Sequence, residues 1–316
     1  MKREELELRL QRGEPIEDAQ LENADLSGLD CVGATLRCVR FKGCLFQDAD
    51  FSRARLVECQ FEGCAGGFVE FQEAWLSGAA FGDSRLHHVD FTAARLERVS
   101  FHEMDLEQAF FDKVDCASVT FRASRLVLAS FEGARLQEQE FPDCDLTDAC
   151  FRDADLSMAV LRGLQLTRAD FRGATLSGVE LRRACASSAD FTQASIECVC
   201  FVQAQLDGAS FEEASIVSTD FSGACLRAAR FTRAHGKYVV FDGCDLRYAD
   251  LSHGTVHDVT FVGADLSYAT AHEVKAVRSV MERARVVGFR LTDHELRAAE
   301  RWRPPQINLD EKYRSA

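Results

Sequence analysis

Carboxylates recur in this sequence at intervals of twenty. Asp30, Asp50, Glu70 and Asp90 stand at that spacing, Asp170 and Asp190 resume it, and Glu73, Glu132, Glu212 and Glu213 lie beside the same series. In a chain that stacks every twenty residues, such a series makes a line of negative charge suited to a cationic surface. The other groups capable of chemistry are scattered. The histidines are His87, His88, His102, His235, His253, His257, His272 and His294. His235, His253, His257 and His272 could approach one another near the C-terminal end, but no carboxylate or cysteine accompanies them at ligand spacing. The 13 cysteines are an odd number with no CxxC pair, which fits a reducing cytoplasm better than a disulfide framework or a metal cluster. There is no glycine-rich phosphate loop, and no Ser/His/Asp set stands apart from the many repeated Ser and Asp. The residues read as those of a non-catalytic protein with no metal and no cofactor.

The element that would position these groups is a ruler of five. Phe41, Phe46, Phe51, Leu56, Phe61, Phe71, Leu76, Phe81, Leu86 and Phe91 fall on it, and a small residue precedes most of them by two places, as at Ala49, Ala54, Cys59, Ala74 and Ala79. Neither a helix nor a simple strand has a period of five, whereas a stacked solenoid of short repeats does. Positions ending in 1 are mostly Phe and those ending in 6 mostly Leu or Ile. A four-sided coil of twenty residues explains the alternation, with Phe on two opposite walls and Leu on the other two. Each side chain then stacks on the one twenty positions away and fills a narrow core at high density.

The units Ala24-Asp25-Leu26-Ser27-Gly28, Ala49-Asp50-Phe51-Ser52-Arg53, Ala169-Asp170-Phe171-Arg172-Gly173 and Ala264-Asp265-Leu266-Ser267-Tyr268 resemble the A(D/N)LXX motif of pentapeptide repeat proteins. The resemblance runs over residues 16–270 without an insertion or deletion. It implies an all-β solenoid, the right-handed quadrilateral β-helix, with the central Phe or Leu inward and the small residue at an inner corner. Glycine often follows the centre by two places, as at Gly28, Gly33, Gly43 and Gly63, where a turn of positive φ is expected. Gly66, Ala186 and Gly236 replace a central apolar residue, and Cys31 and Cys116 shrink it. The run Cys64-Ala65-Gly66-Gly67 is the expected place for a bulge or bend, unless neighbours simply compensate for the smaller side chains.

Outside the ruler, helices are expected. Leu6 and Leu10 lie one turn apart, with Gly13 as a stop, so residues 1–15 read as an N-terminal capping helix that covers the raw edge of the first coil. From residue 271 to 316, Val274, Val277, Val280 and Met281, with Ala284 and Val287, follow helical spacing. A second helix is expected from Thr292, in the capping box Thr292-Asp293-His294-Glu295, to Arg303 before Pro304-Pro305, then a mobile tail. This C-terminal region reads as a cap, and by resemblance to family members that join end to end also as a homodimer contact. No apolar run approaches the ~20 residues needed to cross a membrane, and the start Met1-Lys2-Arg3-Glu4-Glu5 lacks the apolar core of a signal peptide.

The formal charge of −14 is uneven: residues 16–270 hold 40 acidic and 23 basic groups, whereas residues 271–316 hold 7 and 10. A negative rod argues against direct nucleic-acid binding. The wall centred on Phe51, Phe71 and Phe91 carries the largest share, net −7. Two readings of its aspartates stay open: each serves its own turn by hydrogen bonding, or together they imitate a phosphate backbone and dock in a basic groove. The family resemblance implies for the second reading a partner such as DNA gyrase or topoisomerase IV, since the family includes DNA-like rods that inhibit gyrase or protect it from quinolones. Outward aromatic residues suggest another surface. Phe68, Tyr248 and Tyr268 share a column with His88 and Leu128, while Trp75 and Phe110 also point outward, with a partner patch expected around Phe68, Trp75 and His88. The alternative function built on them is a scaffold, or a bacterial secretion-system effector or adaptor.

Overall fold

Small inner-corner residues let the chain turn every five residues. The amide of Ala49 donates to the carbonyl of Phe46, that of Ala54 to Phe51 and that of Ala74 to Phe71, at 3.0–3.1 Å. Except at Ser118, the residue before each corner from Gly13 to Gly288 lies in the left-handed region: Gly28 has φ 66°, yet Arg53 (59°) and Tyr248 (63°) adopt it too. That conformation costs a side chain about 1–2 kcal/mol. Part is offset because the same amide donates to the next coil, Arg53 to Gln72 at 2.9 Å and Tyr248 to Ser267 at 3.1 Å.

Repeated turns of one hand wind the chain into a parallel β-solenoid of about 13 turns. The computed structural model describes residues 1–292. The first wall is centred on Phe41, Phe61 and Phe81, the second on Phe46, Leu86 and Leu106, the third on Phe51, Phe71 and Phe91, and the fourth on Leu36, Leu56 and Leu76. Register is strictly twenty: Phe41 faces Phe61, Phe61 faces Phe81, and Leu36 faces Leu56. Strands are two to four residues long, such as Thr35–Arg37 and Val119–Arg122. The first-wall sheet ends at Val119–Arg122, and the fourth wall holds two sheets, Ile16–Glu17 to Arg95–Glu97 and Thr175–Ser177 to Lys275–Val277. Elsewhere isolated parallel bridges continue the stacking.

The core is a set of ladders. On the third wall Phe51 stacks on Phe71 at 4.9 Å and Phe171 on Phe191 at 4.8 Å, with rings within 9° of parallel. Rings from the first and third walls meet edge to face, as Phe61 and Phe71 do at 6.0 Å and 87°. Both arrangements suit the ring quadrupole. Inner-corner Cys44, Cys59, Cys64, Cys144 and Cys244 are buried and unpaired. Burial pushes the Cys59 thiol up to about 11 and that of Cys244 up to about 12, against partial opposition from backbone hydrogen bonds.

The two central glycines differ. No bulge forms at Gly66: Ala65, Gly66 and Gly67 pair in unbroken register with Arg85, Leu86 and His87. There the backbone lies close against that of the preceding coil, so a Cβ on Gly66 would lie 2.8 Å from the carbonyl carbon of Phe46. Around Gly236 the nearest atoms to such a Cβ are the side chains of Val239 and Val256, at 3.6 and 3.7 Å. A small apolar cavity of about 20 Å³ remains beside it. Gly66→Ala should therefore destabilise the rod by about 1–3 kcal/mol, while Gly236→Ala should stabilise it by about 0.4–1 kcal/mol. Urea unfolding of the two variants checks both signs.

At the N-terminus, α1 (Arg3–Gln11) lies on the first coil with Leu6 fully buried. The Arg3 guanidinium donates to the carbonyls of Asp25 and Ser27 at 2.8 and 3.0 Å. At the other end the expectation of helix from residue 271 is overturned. Lys275–Val277 is a strand paired with Thr255–His257, and Val280, Arg285 and Arg290 bridge Thr260, Asp265 and Thr270. The five-residue register in fact persists, with Ala276, Met281, Val286 and Leu291 at central positions and Val274 and Ala284 at inner corners. Val277, Val280 and Val287 point outward, and their spacing only imitated a helical stripe. A helix would forfeit the hydrogen bonds offered by the preceding coil, which templates another coil instead. Val274, Val277, Val280 and Met281 thus belong to the last described coil. The helix expected from Thr292 to Arg303 and the tail lie outside the described residues. No helix among the described residues is long and apolar enough to cross a membrane.

Candidate functional site

The position before each central residue on the third wall points outward, and the coil stacks these positions directly. Asp30 bridges Asp50, Asp50 bridges Glu70, and Glu70 bridges Asp90; the column continues through Phe110, Ser130 and Cys150 to Asp170 and Asp190. The aspartates also serve their own turns. One carboxylate oxygen of Asp30, Asp50, Asp90, Asp170 and Asp190 accepts the amide two residues on, at 2.7–3.0 Å. Asp25, Asp155 and Asp265 do the same on other walls, so the bond belongs to the coil and not to one surface. It occupies one oxygen; the second accepts from Gln72 at Asp90 and meets arginine at Asp170, and at Asp30 and Asp50 it is left for a partner, so that there the two readings of the aspartates are compatible.

Arginines divide the wall. In its C-terminal half Asp170 meets both Arg152 and Arg172, Asp190 meets Arg172, Glu132 meets Arg152, and Glu212 and Glu213 meet Arg230 and Arg233. In its N-terminal half Glu73 pairs with Arg53 at 3.0 Å. Among the described residues, Asp30, Asp50, Glu70 and Asp90 have no ion pair. These four therefore form a stacked run in successive coils, whereas Asp112, Asp153 and Asp250, which also have no ion pair among the described residues, stand apart from that run. Sequence reasoning missed this division, because all but one of these pairs join residues 18 or 20 apart, the exception being Asp170 with Arg172; writing the chain in rows of twenty would reveal most of them.

Asp170 carries a pH signature. Burial alone would raise its pKa, but hydrogen bonds from the Arg172 side chain and amide and from Arg152 outweigh it and hold the carboxyl down to about 2. An unfolded Asp titrates near 3.9. The lowered folded value contributes stability that is complete above about pH 4 and lost as pH falls towards about 2. Asp170→Asn should therefore destabilise the protein more at about pH 6 than at about pH 2.5. Urea midpoints at the two pH values check it.

The outward aromatics do not form the group expected from their spacing. Phe68 stacks on His88 at 4.6 Å, with 56% of Phe68 exposed, on the corner between the second and third walls. Trp75 lies instead on the fourth wall, held between Arg55 at 4.0 Å and Arg95 at 5.8 Å, so it is not part of that patch. Tyr248 and Tyr268 stack at 5.2 Å on the same corner as Phe68, but nine coils further on, and Tyr268 lies against Gly288. Phe110, 39% exposed, stands inside the carboxylate column next to Asp90. Phe68, His88 and Phe110 thus border the uncompensated carboxylates directly.

Other clusters are already occupied. His253 and His272 meet edge to face at 5.2 Å, while His235 bonds Thr255 and His257 bonds Asp258. His87, Asp105 and Glu107 come close enough to hold a cation, a grouping made by spacings of 18 and 20. The Arg125 guanidinium already sits on both carboxylates, however, and its hydrogen bond lowers the Glu107 pKa.

Comparison with known proteins agrees with this geometry. The model described as pentapeptide repeat region matches residues 15–91, 94–170 and 134–211, and that of pentapeptide repeats (8 copies) matches residues 201–233. The search of curated proteins gives no significant match. Among solved structures the chain is similar to HetL, a pentapeptide repeat protein involved in heterocyst differentiation regulation from the cyanobacterium Nostoc sp. strain PCC 7120. The identity is 20%, over 90% of this chain and 94% of that one, with a TM-score of 0.20. It is also similar to QnrB1, a plasmid-mediated fluoroquinolone resistance protein, at 21% identity over 57% of this chain and 89% of that one, TM-score 0.31. A third is a pentapeptide repeat protein of the Arabidopsis thaliana thylakoid lumen, 29% identical over 36% of this chain and 69% of that one, TM-score 0.16. With its motif, its coil of twenty and more than half its length matched by one family model, the chain belongs to the pentapeptide repeat family.

Proposed function

We propose that this chain is a non-catalytic binding rod whose third wall, in its N-terminal half, docks on the basic DNA-binding surface of a protein, with a type II topoisomerase, DNA gyrase or topoisomerase IV, as the partner. The observation that carries the reading is the ladder of Asp30, Asp50, Glu70 and Asp90, four directly stacked carboxylates in successive coils with no ion pair among the described residues. Coils rise about 4.8 Å each, against about 3.4 Å per phosphate along one DNA strand. The ladder therefore carries roughly 70% of the linear charge density of one strand. Phe68, His88 and Phe110 border it, so one docking surface combines charge that steers with aromatic area that anchors. A supercoiling assay of gyrase titrated with the rod, with and without a quinolone, tests the proposal. Inhibition or protection by the native rod is the expected result, and no effect at micromolar protein would remove the topoisomerase.

A second reading, a scaffold or secretion-associated adaptor, is favoured by the exposed Phe68–His88 stack, which can bind without charge. Salt separates the two. Docking through the ladder should weaken steeply as salt rises, while docking through the aromatic edge alone should not.

A further inference from the structure

The hydrogen-bond ladder between coils is broken along one stretch, chiefly on the fourth and first walls, where the amides of Leu96, Asp115, Phe141, Asp143 and Gln165 lack the bonds to Asp115, Ala94, Val160, Arg162 and Cys144 that their counterparts in other coils make. At the corner between the fourth and first walls, the amides of Cys38, Glu58 and Gly78 each donate to the coil above, and the series resumes at Glu138 and Met158. Among the described residues Arg98 and Ser118 break it: neither amide reaches a backbone carbonyl of the coil above, and Arg98 takes the Ser118 hydroxyl at 3.1 Å instead. On the first wall the amides of Ser100 and Val160 donate to Ala79 and Gln139, but that of Glu140 does not reach Val119, nor that of Phe121 the carbonyl of Glu140. The first-wall sheet ends here.

Two departures accompany the break: Ser118 does not adopt the positive φ that every other described residue before a corner adopts from Gly13 to Gly288, and one coil on stands Gln139. Its inner-corner position holds Ala, Val, Cys, Thr or Ser in every other coil from Ala19 to Ser279. Gln139 is 7% exposed, too long for the corner, and its amide nitrogen donates to the carbonyl of Glu140 at 2.7 Å. That bond engages the carbonyl Phe121 would otherwise use, and the bonds of Phe121 and Glu140 across the gap are missing while Ala123 still reaches Pro142. Clefts of about 950 and 630 Å³ lie on either side of Glu140-Phe141-Pro142. The opposite side stays closed. On the second wall Leu126 donates to Asp145 at 2.8 Å, and on the third Phe131 donates to Cys150 at 2.7 Å.

We propose that the rod hinges at this seam. The first wall and its corner with the fourth open and close, the intact second and third walls act as the hinge leaf, and two stiff halves move against each other. The ladder from Asp30 to Asp90 lies wholly in the N-terminal half, so a rod docked through it can swing its C-terminal half. The hinge itself is independent of any partner.

Hydrogen exchange on the full chain tests it. Amides of Ser118, Phe121 and Glu140 should exchange at least about a hundredfold faster than those of Gly78 and Leu161, whose bonds between coils are intact. The decisive amide is Ala123, which bonds Pro142 across the seam at 2.9 Å and is compared with Gly163, bonded to Arg182 at 3.0 Å. A static gap leaves Ala123 as slow as Gly163, whereas a hinge makes it about tenfold faster or more. Gln139→Val, the residue found at Val119 and Val179, should slow all four seam amides, as should Gln139→Ala. Trypsin should cut the native rod after Arg122 or Arg135 before any other site in residues 16–292, and the variants should resist. Equal exchange at Ala123 and Gly163, or exchange unchanged in both variants, would overturn the hinge.

Discussion

Lysine in place of Asp50, Glu70 and Asp90 together should abolish binding to a basic partner while the rod stays folded. Three contacts worth about 1.4 kcal/mol each amount to roughly a thousandfold in affinity, and reversal adds repulsion beyond that loss. The turns need a control, because Asp50 and Asp90 each accept a backbone amide at 2.7 Å. Losing each bond costs about 1 kcal/mol of stability. Asp50→Asn, Glu70→Gln and Asp90→Asn remove the charge but keep an oxygen acceptor. The neutral variant should bind with intermediate affinity and a smaller salt slope, and the lysine variant should not bind detectably. Affinity against salt for both, beside circular dichroism, makes the measurement. Native affinity in a folded lysine variant would clear the ladder of any part in binding. The same reversal at Glu212 and Glu213, which arginines already neutralise, should change affinity little.

The largest expected effect on stability is at the ladder of rings. Phe171 is fully buried between Phe151 at 5.0 Å and Phe191 at 4.8 Å, with rings within 8° of parallel. Phe171→Ala removes a ring whose neighbours above and below are held by their own coils, so the space cannot collapse. The expected loss is about 3–5 kcal/mol, and it includes two stacking contacts worth about 0.5–1.5 kcal/mol each. Tyr248→Ala removes a stacked ring of similar size that is 57% exposed, and should cost far less. Urea midpoints for the two variants make the comparison. Equal losses would mean that the coils are held by hydrogen bonding alone. Because each coil touches only its neighbours, the Phe171 variant should also unfold first around residues 151–191, which exchange protection can locate.

The ruler of five, the wall assignments and the buried Phe and Leu columns were legible because each is a statement about period. A coil of twenty converts sequence spacing directly into contact, so Asp30, Asp50, Glu70 and Asp90 could be stacked from their numbers alone. The same rule placed Phe68 on His88 and Tyr248 on Tyr268. Reading failed where two periods coincided or where geometry departed from the ideal coil. Val274, Val277, Val280 and Met281 satisfy helical spacing, but hydrogen bonds offered by the preceding coil decide in favour of another turn. Trp75 is outward in any scheme, yet only the structure puts it between two arginines on a different wall from Phe68.

The chain by itself determined its fold, its core and the line of its carboxylates, because a strict repeat leaves each coil one partner and one register. Tertiary structure decided which of those carboxylates remain free, since pairing with Arg152, Arg172 and Arg230 depends on side chains reaching between coils. It also decided that Gly66 lies too close to the preceding coil for a Cβ while Gly236 leaves a void, and that the ladder parts near a buried glutamine at an inner corner. Those outcomes turn on ångströms of backbone displacement, which a period cannot specify.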